Sequence, residues 1–232
     1  MRLWDANWFQ IEECLARDER VLVPLGSTEQ HGYLSLGVDS LICERGAIAA
    51  AEPEGVPVLP VMPFGLTPGF TAFPGTIHIR TPTYLALVRD LLDSLAGQGF
   101  RRILLVNGHG GNEPAATVAQ EWVAEHPECE VIFHGFLLEP ELFPLASQID
   151  HPGHASWVEN FPFVRLEGVE LPSGSKPPVD VRALKTAHPT RVREALGDGV
   201  GGGAYQRPDE DTDRIWKAAV ALLNGRLRNG WA

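Results

Sequence analysis

The chain has 232 residues, 44% of them hydrophobic and 21% charged, which suits one globular domain spanning 1–232 and would crowd two independent cores. Its 30 acidic and 19 basic residues leave a formal net charge of −11, a field that repels phosphates and argues against nucleic acid or an anionic membrane as partner. Cys14, Cys43 and Cys129 are odd in number, widely spaced and form no CxxC pair, so neither a disulfide framework nor a thiolate zinc site is expected. The opening MRLWDANWFQIEE lacks the basic-then-apolar layout of a signal peptide. No apolar run approaches the roughly 20 residues that span a bilayer. A cytoplasmic location is the expectation.

A first helix is predicted over 8–17, followed by a buried strand at 21–25 that ends at the turn-forming Gly26. A helix over 40–51 and a strand over 56–61 come next. Thr81-Pro82 reads as a capping side chain with proline at the first helical position. Leu85, Val88, Leu92 and Leu95 then recur at helical spacing until Gly97 or Gly99. The segment RRILLV (101–106) is a third strand, too apolar for an edge, and it runs into NGHGGN. A helix over 114–125, a strand at 131–133 and a final helix over 209–227, with Ile215, Ala219 and Leu222 on one side, complete the pattern. The Pro/Gly-rich stretch 166–189 reads as a long loop. Alternation of strands and helices predicts an α/β fold, a mostly parallel sheet covered on both faces in three α/β/α layers.

Polar residues gather where two predicted strands end, the place where parallel sheets bind ligands. GSTEQHG sets Glu29 and His31 just past strand 21–25, with Asp39 following, and NGHGGN sets His109 just past strand 101–106. Glu29 and His31 are two apart, so extended backbone points both to one face. Carboxylates and imidazoles converging in this way suit a divalent metal. Plainer readings exist for each: a solvated turn, a helix cap at Asp39, a glycine turn or a phosphate cradle in NGHGGN. A third cluster, DHPGHASWVEN, offers His151, His154 and Glu159. His154 and Glu159 lie too far apart for one helix face, so they serve one site only if a loop runs into a helix there.

PLGSTEQHG followed by LGVD, then AFPGTI (72–77) and LVNGHGGN, resembles the creatininase (creatinine amidohydrolase) family over roughly 20–160. The resemblance implies the creatininase fold, a binuclear metal centre and a homohexamer. It puts Glu29, His31, Asp39 and His109 at metal positions, with Asp39 bridging both ions, and His154 beside the substrate. Glu159 falls on the glutamate of the family's His-Ala-Gly-x-x-Glu-Thr stretch, here HASWVEN. There are departures. The segment between His31 and Asp39 is one residue shorter than usual and has Tyr33 and Leu34 where a second histidine occurs. Gly111 stands where creatininase carries a ligand glutamate, which shifts the fifth ligand role to Glu159. Charge supports that shift: two divalent ions bring four positive charges, and Glu29, Asp39 and a hydroxide offset three. Glu113 is the alternative, although helix-dipole stabilisation alone accounts for it.

The reading is a metal-dependent hydrolase that cleaves a carbon–nitrogen amide bond of a small molecule: a cyclic amide, a formamide or a short peptide end. Two divalent ions (zinc, manganese or ferrous iron) activate water, and His154 or Glu159 passes a proton to the leaving nitrogen. The rivals are a phosphate- or nucleotide-binding module, weakened by the absence of GxGxxG or a Lys-Ser/Thr, and an inactive scaffold of the family. Stretch 166–189 and Gly201, Gly202 and Gly203 are expected to roof the site or line a subunit contact. Trp4, Trp8 and Phe9 either fill an interface of a homo-oligomer or pack beneath the first helix.

Overall fold

Three parallel strands organise the molecule: β1 (Arg20–Leu25), β2 (Arg102–Asn107) and β3 (Glu130–Gly135), in spatial order β1-β2-β3. The computed structural model describes every residue except Arg182, Lys185 and Ala232. Val21 pairs with Ile103 and Ile103 with Val131, so RRILLV does occupy the interior of the sheet.

The side-chain alternation of the strands divides the core. Leu22, Leu104 and Val106 face α2 (Val38–Ala51) and α7 (Asp209–Asn229), meeting Val38, Ile42, Ala219 and Leu223. Val21, Val23, Ile103 and Leu105 face α3 (Thr81–Gln98) and α4 (Pro114–Glu125), meeting Tyr84, Val88, Leu92 and Trp122. Both faces of the sheet are therefore covered, which is why its strands are apolar throughout rather than alternating. The architecture is the expected three-layer α/β/α.

The structure differs from expectation at several boundaries. Segment 56–61 lies along β1 and bonds to it, with Leu59 N–H donating to Leu22 O at 2.9 Å and Leu22 N–H to Pro57 O at 3.0 Å, but only isolated bridges form. Prolines at 57, 60 and 63 supply no N–H, so a continuous ladder cannot build. The helix predicted over 8–17 is α1 (Trp8–Leu15), opened by a capping box between Asn7 and Gln10. α3 begins after Arg80, which makes no side-chain cap; Thr81 is its first helical residue rather than its cap. α2 begins at Val38 after Gly37, so Asp39 lies inside the first turn and does not cap it. The final helix runs on to Asn229, and its buried stripe is Thr212, Ile215, Ala219, Leu223 and Leu227; Leu222 lies beside that stripe, partly buried.

The described residues of 166–188 are loop apart from β4 (Ser175–Lys176), which pairs antiparallel with β5 (Gly203–Ala204), and Pro189 already belongs to a helix. Two short helices, α5 (Leu142–Ser147) and α6 (Pro189–Leu196), flank the irregular second half. Trp4, Trp8 and Phe9 do not pack as core beneath α1: they are 71%, 65% and 57% exposed, with the Trp8 and Phe9 rings stacked.

Gly46, mid-way along α2, faces the Phe136 ring, and an added Cβ would lie 2.3 Å from it. Glycine-to-alanine changes inside helices usually stabilise by ~0.5–1 kcal/mol. Here the ring cannot retreat from a filled core, so Gly46→Ala is expected to destabilise by about 1–3 kcal/mol. Urea denaturation checks this, and an increased midpoint would contradict it.

Candidate metal centre

Two glycines let the first turn of α2 press onto the ends of the strands. An added Cβ at Gly26, just past β1, would fall 2.6 Å from Ser40 Cα, and one at Gly108, just past β2, would fall 2.4 Å from Asp39 O. This close approach brings the Asp39 carboxylate between the loops that leave β1 and β2. The first loop supplies Ser27, Glu29 and His31, the second supplies His109, and segment 151–160 supplies His154 and Glu159. Asn112 ties the loops together, donating from Nδ2 to Gly26 O at 3.0 Å and accepting from Leu66 N–H at 3.1 Å.

The two oxygens of Asp39 look toward different partners. Oδ1 is 3.1 Å from His31 Nε2, which is itself 3.8 Å from Glu159 Oε2. Oδ2 is 3.0 Å from His109 Nδ1, which lies 3.3 Å from Glu29 Oε1. Two sets follow, Glu29/Asp39/His109 and His31/Asp39/Glu159, each with ligand atoms within 4.8 Å of one another and Asp39 common to both. A third grouping, Glu29/His31/His154, meets the same limit. Glu29, His31, Asp39 and His109 are all buried, with at most 6% exposure.

Backbone carbonyls fix the imidazole tautomers. His31 Nδ1–H donates to Glu29 O at 3.2 Å, so that Nε2 is the nitrogen turned toward the carboxylates and the one that becomes the acceptor when the ring is neutral. His109 Nε2–H donates to Leu66 O at 2.9 Å, which leaves Nδ1 inward. Such outer bonds are what metal-binding histidines carry. Ser27 Oγ–H donates to Asp39 Oδ2 at 2.7 Å.

Without a cation the cluster draws protons. Burial pushes the Glu159 carboxyl up to about 7 and Glu29 upward as well. Burial acts on Asp39 in the same sense, yet His31 and His109 hold it well below the usual carboxylate range. His31 resists its own burial because Asp39 beside it raises it to about 10, and Glu29 and Asp39 raise His109 in the same way. Glu29 Oε2 and His31 Nε2 are buried with no hydrogen-bond partner. Buried atoms without a partner, among three carboxylates and two oriented imidazoles, are the donor set that a divalent cation satisfies once His31 and His109 give up a proton.

His154 lies beside this cluster in a neutral setting. Its ring stacks on Phe70, with centroids 4.9 Å apart, and sits 4.5 Å from His31. Nε2 is 2.9 Å from Gln30 Nε2 and 3.1 Å from Gln30 O, and Gln30 Nε2 also donates to Gly199 O at 3.0 Å. Burial, then the charge on His31, depresses His154 to about 3. His154 and Glu159 are joined by a loop and the short 3-10 turn Trp157–Glu159 rather than a helix. Between them Ala155 takes φ 58°, a left-handed conformation that costs a non-glycine residue energy, and its N–H donates to Glu159 Oε2 at 2.6 Å.

The remaining candidates separate. His151 is exposed and enters none of the three groups. Glu113 is exposed at the start of α4 and lines the cavity, outside those groups. At Gly111 an added Cβ would meet Leu66 O at 2.1 Å and His109 Nε2 at 2.3 Å, so no side chain fits there. Ser27, Gln30, Phe70 and Asn112 were not singled out from the sequence as site residues. Ser27, Gln30 and Asn112 lie inside the two motifs, but Phe70 carries no local signal. Of the segments expected to roof the site, Val181 and Leu184 do line its cavity, whereas Gly201–Gly203 are buried behind His154, with Gly201 N–H bonded to His154 O at 2.7 Å. Three carboxylates facing the NGHGGN turn would repel the phosphate of the nucleotide-binding alternative.

The family model for creatininase, described as creatinine amidohydrolase, matches residues 4–224. The chain belongs to the creatininase family. Its family relatives include the mycofactocin precursor peptide peptidase of Mycolicibacterium smegmatis, 40% identical over 106 residues, a match covering 43% of this chain and 42% of that protein. The creatinine amidohydrolase of Pseudomonas putida is 33% identical over 115 residues, covering 47% of this chain and 44% of that one. These matches span less than half of each relative. A crystal structure of creatinine amidohydrolase (creatininase) superposes with a TM-score of 0.78 at 23% identity, covering 98% of this chain and 96% of that chain, which establishes the creatininase fold.

The environment of His154 makes a checkable statement. In the metal-free protein its ring stays neutral down to about pH 4, because burial and His31 hold its folded value near 3. An unfolded histidine binds a proton below about 6.5, so this residue costs stability as pH falls from there toward 3. Nitrogen-15 ring shifts should therefore show no His154 titration between pH 8 and 4; a midpoint near 6.5 would contradict the account.

Proposed function

We propose that the chain, acting over 1–232 as one unit, is a metal-dependent amidohydrolase cleaving a carbon–nitrogen amide bond of a small molecule. It would hold one divalent ion with Glu29, Asp39 and His109 and a second with His31, Asp39 and Glu159. The observation carrying this reading is that the two oxygens of one buried aspartate face two separate ligand sets. Zinc, manganese and ferrous iron all suit nitrogen and oxygen donors without thiolate. Family neighbours include a creatininase in a Zn-Zn form and a creatininase named with Mn.

Bound ions of this kind polarise an amide carbonyl and make water a nucleophile near neutral pH. The chain's own residues do the rest. Glu29, Asp39 and Glu159 supply the negative charge that balances the centre. Leu66 O and Glu29 O hold the two imidazoles in the ligating tautomer. His154, neutral and on the cavity wall, is placed to take a proton from the attacking water and pass that same proton to the leaving nitrogen, a role worth typically ~10²–10⁴-fold. Glu159, whose Oε2 lies near His31 Nε2, serves as ligand more directly than as proton carrier. Among the described residues no helix is long and apolar enough to cross a membrane. We place the protein in the cytoplasm as a homohexamer, with exposed Trp4, Trp8 and Phe9 available for contacts.

Metal analysis by mass spectrometry on purified variants tests the ligand assignment. Asp39→Ala should lose both ions and Glu159→Gln one, each with turnover reduced more than about 100-fold, beyond the ~10–100-fold usual for outer-shell changes. A folded Asp39→Ala protein that keeps two ions contradicts the bridge. If Glu159→Gln keeps both ions and full turnover while Glu113→Gln loses them, the fifth ligand is Glu113.

Assembly has its own check. Light scattering at micromolar concentration should give about six times the chain mass, and a monomer would exclude the hexamer.

A further inference from the structure

The cavity opening from the ligand cluster encloses about 770 Å³, far more than an amide group needs and within the ~300–1,000 Å³ that accommodates drug-sized ligands. Glu29, Asp39, His109, His154 and Glu159 occupy one part of its lining. Another part is apolar, formed by Leu138, Leu142, Phe143, Ala146, Val158 and Leu184. Leu142, Phe143 and Ala146 come from α5, and Ala146 belongs to the apolar cluster against which Val158 packs. Val158 immediately precedes Glu159 in the same turn, so the apolar wall is continuous with the turn that carries the proposed ligand.

Leu138 and Phe143 are 45% and 61% exposed, and they face water at the rim of a cavity whose chemistry lies deeper. The polar side chains sharing that lining include the carboxylates of Glu113 and Glu139, which disfavour a negatively charged group. We propose that the apolar wall is a specificity subsite, and that the substrate is an uncharged amide carrying a leucine- or phenylalanine-sized apolar group beside the scissile bond, as at the apolar end of a short peptide. This rests on the amidohydrolase reading above and narrows it: a bare formamide or a small polar cyclic amide would leave the wall hydrated.

The test uses the full-length protein loaded with zinc or manganese and a series of N-acetyl amino-acid amides, with glycine, alanine, valine, leucine and phenylalanine side chains. Release of ammonia or acetate gives kcat/KM. The expected rise is about fourfold per buried methylene, the factor equivalent to ~0.8 kcal/mol, with the best rates at leucine or phenylalanine and creatinine and formamide far behind. The double substitution Leu138→Ser/Phe143→Ser changes residues already exposed, so the fold should survive. It should cut the leucine-to-glycine ratio of kcat/KM at least tenfold, a ratio independent of the fraction of loaded enzyme. A flat series, or an unchanged ratio in the double variant accompanied by a changed oligomeric mass, overturns the subsite and marks the patch as a subunit contact. If no amide or cyclic amide is turned over by the loaded protein, the hydrolase reading fails separately. Binding of acetohydroxamate, hexanohydroxamate and 3-phenylpropionohydroxamate to the zinc-loaded protein then decides the subsite: tightening along the series supports it, and equal Kd values overturn it.

Discussion

The carboxylate of Asp39 is buried where two parallel strands end, and much of the surrounding structure exists to hold it there. A single unpaired carboxylate in such a place is costly, and two more, Glu29 and Glu159, share the space. The fold responds with compensating positive character from every side: His31 on one oxygen, His109 on the other, and the Ser27 hydroxyl. Glycines at 26 and 108 are the structural condition for that arrangement, because any side chain there would hold α2 away from the strand ends. The three-layer core supplies the rigid base, with its helices packed on both faces of β1 and β2.

The electrostatics of the cluster have one direction. Its carboxylates and imidazoles are poised to exchange protons for a cation, since the raised His31 and His109 must lose protons before they can ligate. His154 is the exception, held neutral by burial and by its charged neighbour, and it faces the same cavity. An imidazole without charge beside groups that carry it suits the division proposed above, with ligands on one side and a group that takes up and passes on a proton on the other.

Much of this was legible in the sequence where one residue type has one physical role. Apolar runs at 21–25 and 103–106 pointed to buried strands, and histidine with acids just past both ends pointed to a shared site. GSTEQHG and NGHGGN carried the residues that now converge. What escaped was set by tertiary context. Prolines at 57, 60 and 63 thin a strand whose apolar pattern is sound. Asp39 in the first turn of α2 has the same local sequence whether it caps the helix or faces inward, and only Gly26 and Gly108 decide. Phe70, which stacks on His154, lies in a loop with no periodicity to mark it. The left-handed Ala155, which lets the backbone turn between His154 and Glu159, is an alanine that nothing in the local pattern distinguishes.

The central claim is that one aspartate serves two cation sites. Anomalous scattering from crystals grown with zinc or manganese tests it most directly. The account predicts two anomalous peaks, one beside each oxygen of Asp39, the first among Glu29 and His109 and the second among His31 and Glu159. A single peak, or two peaks neither of which touches Asp39, would contradict it.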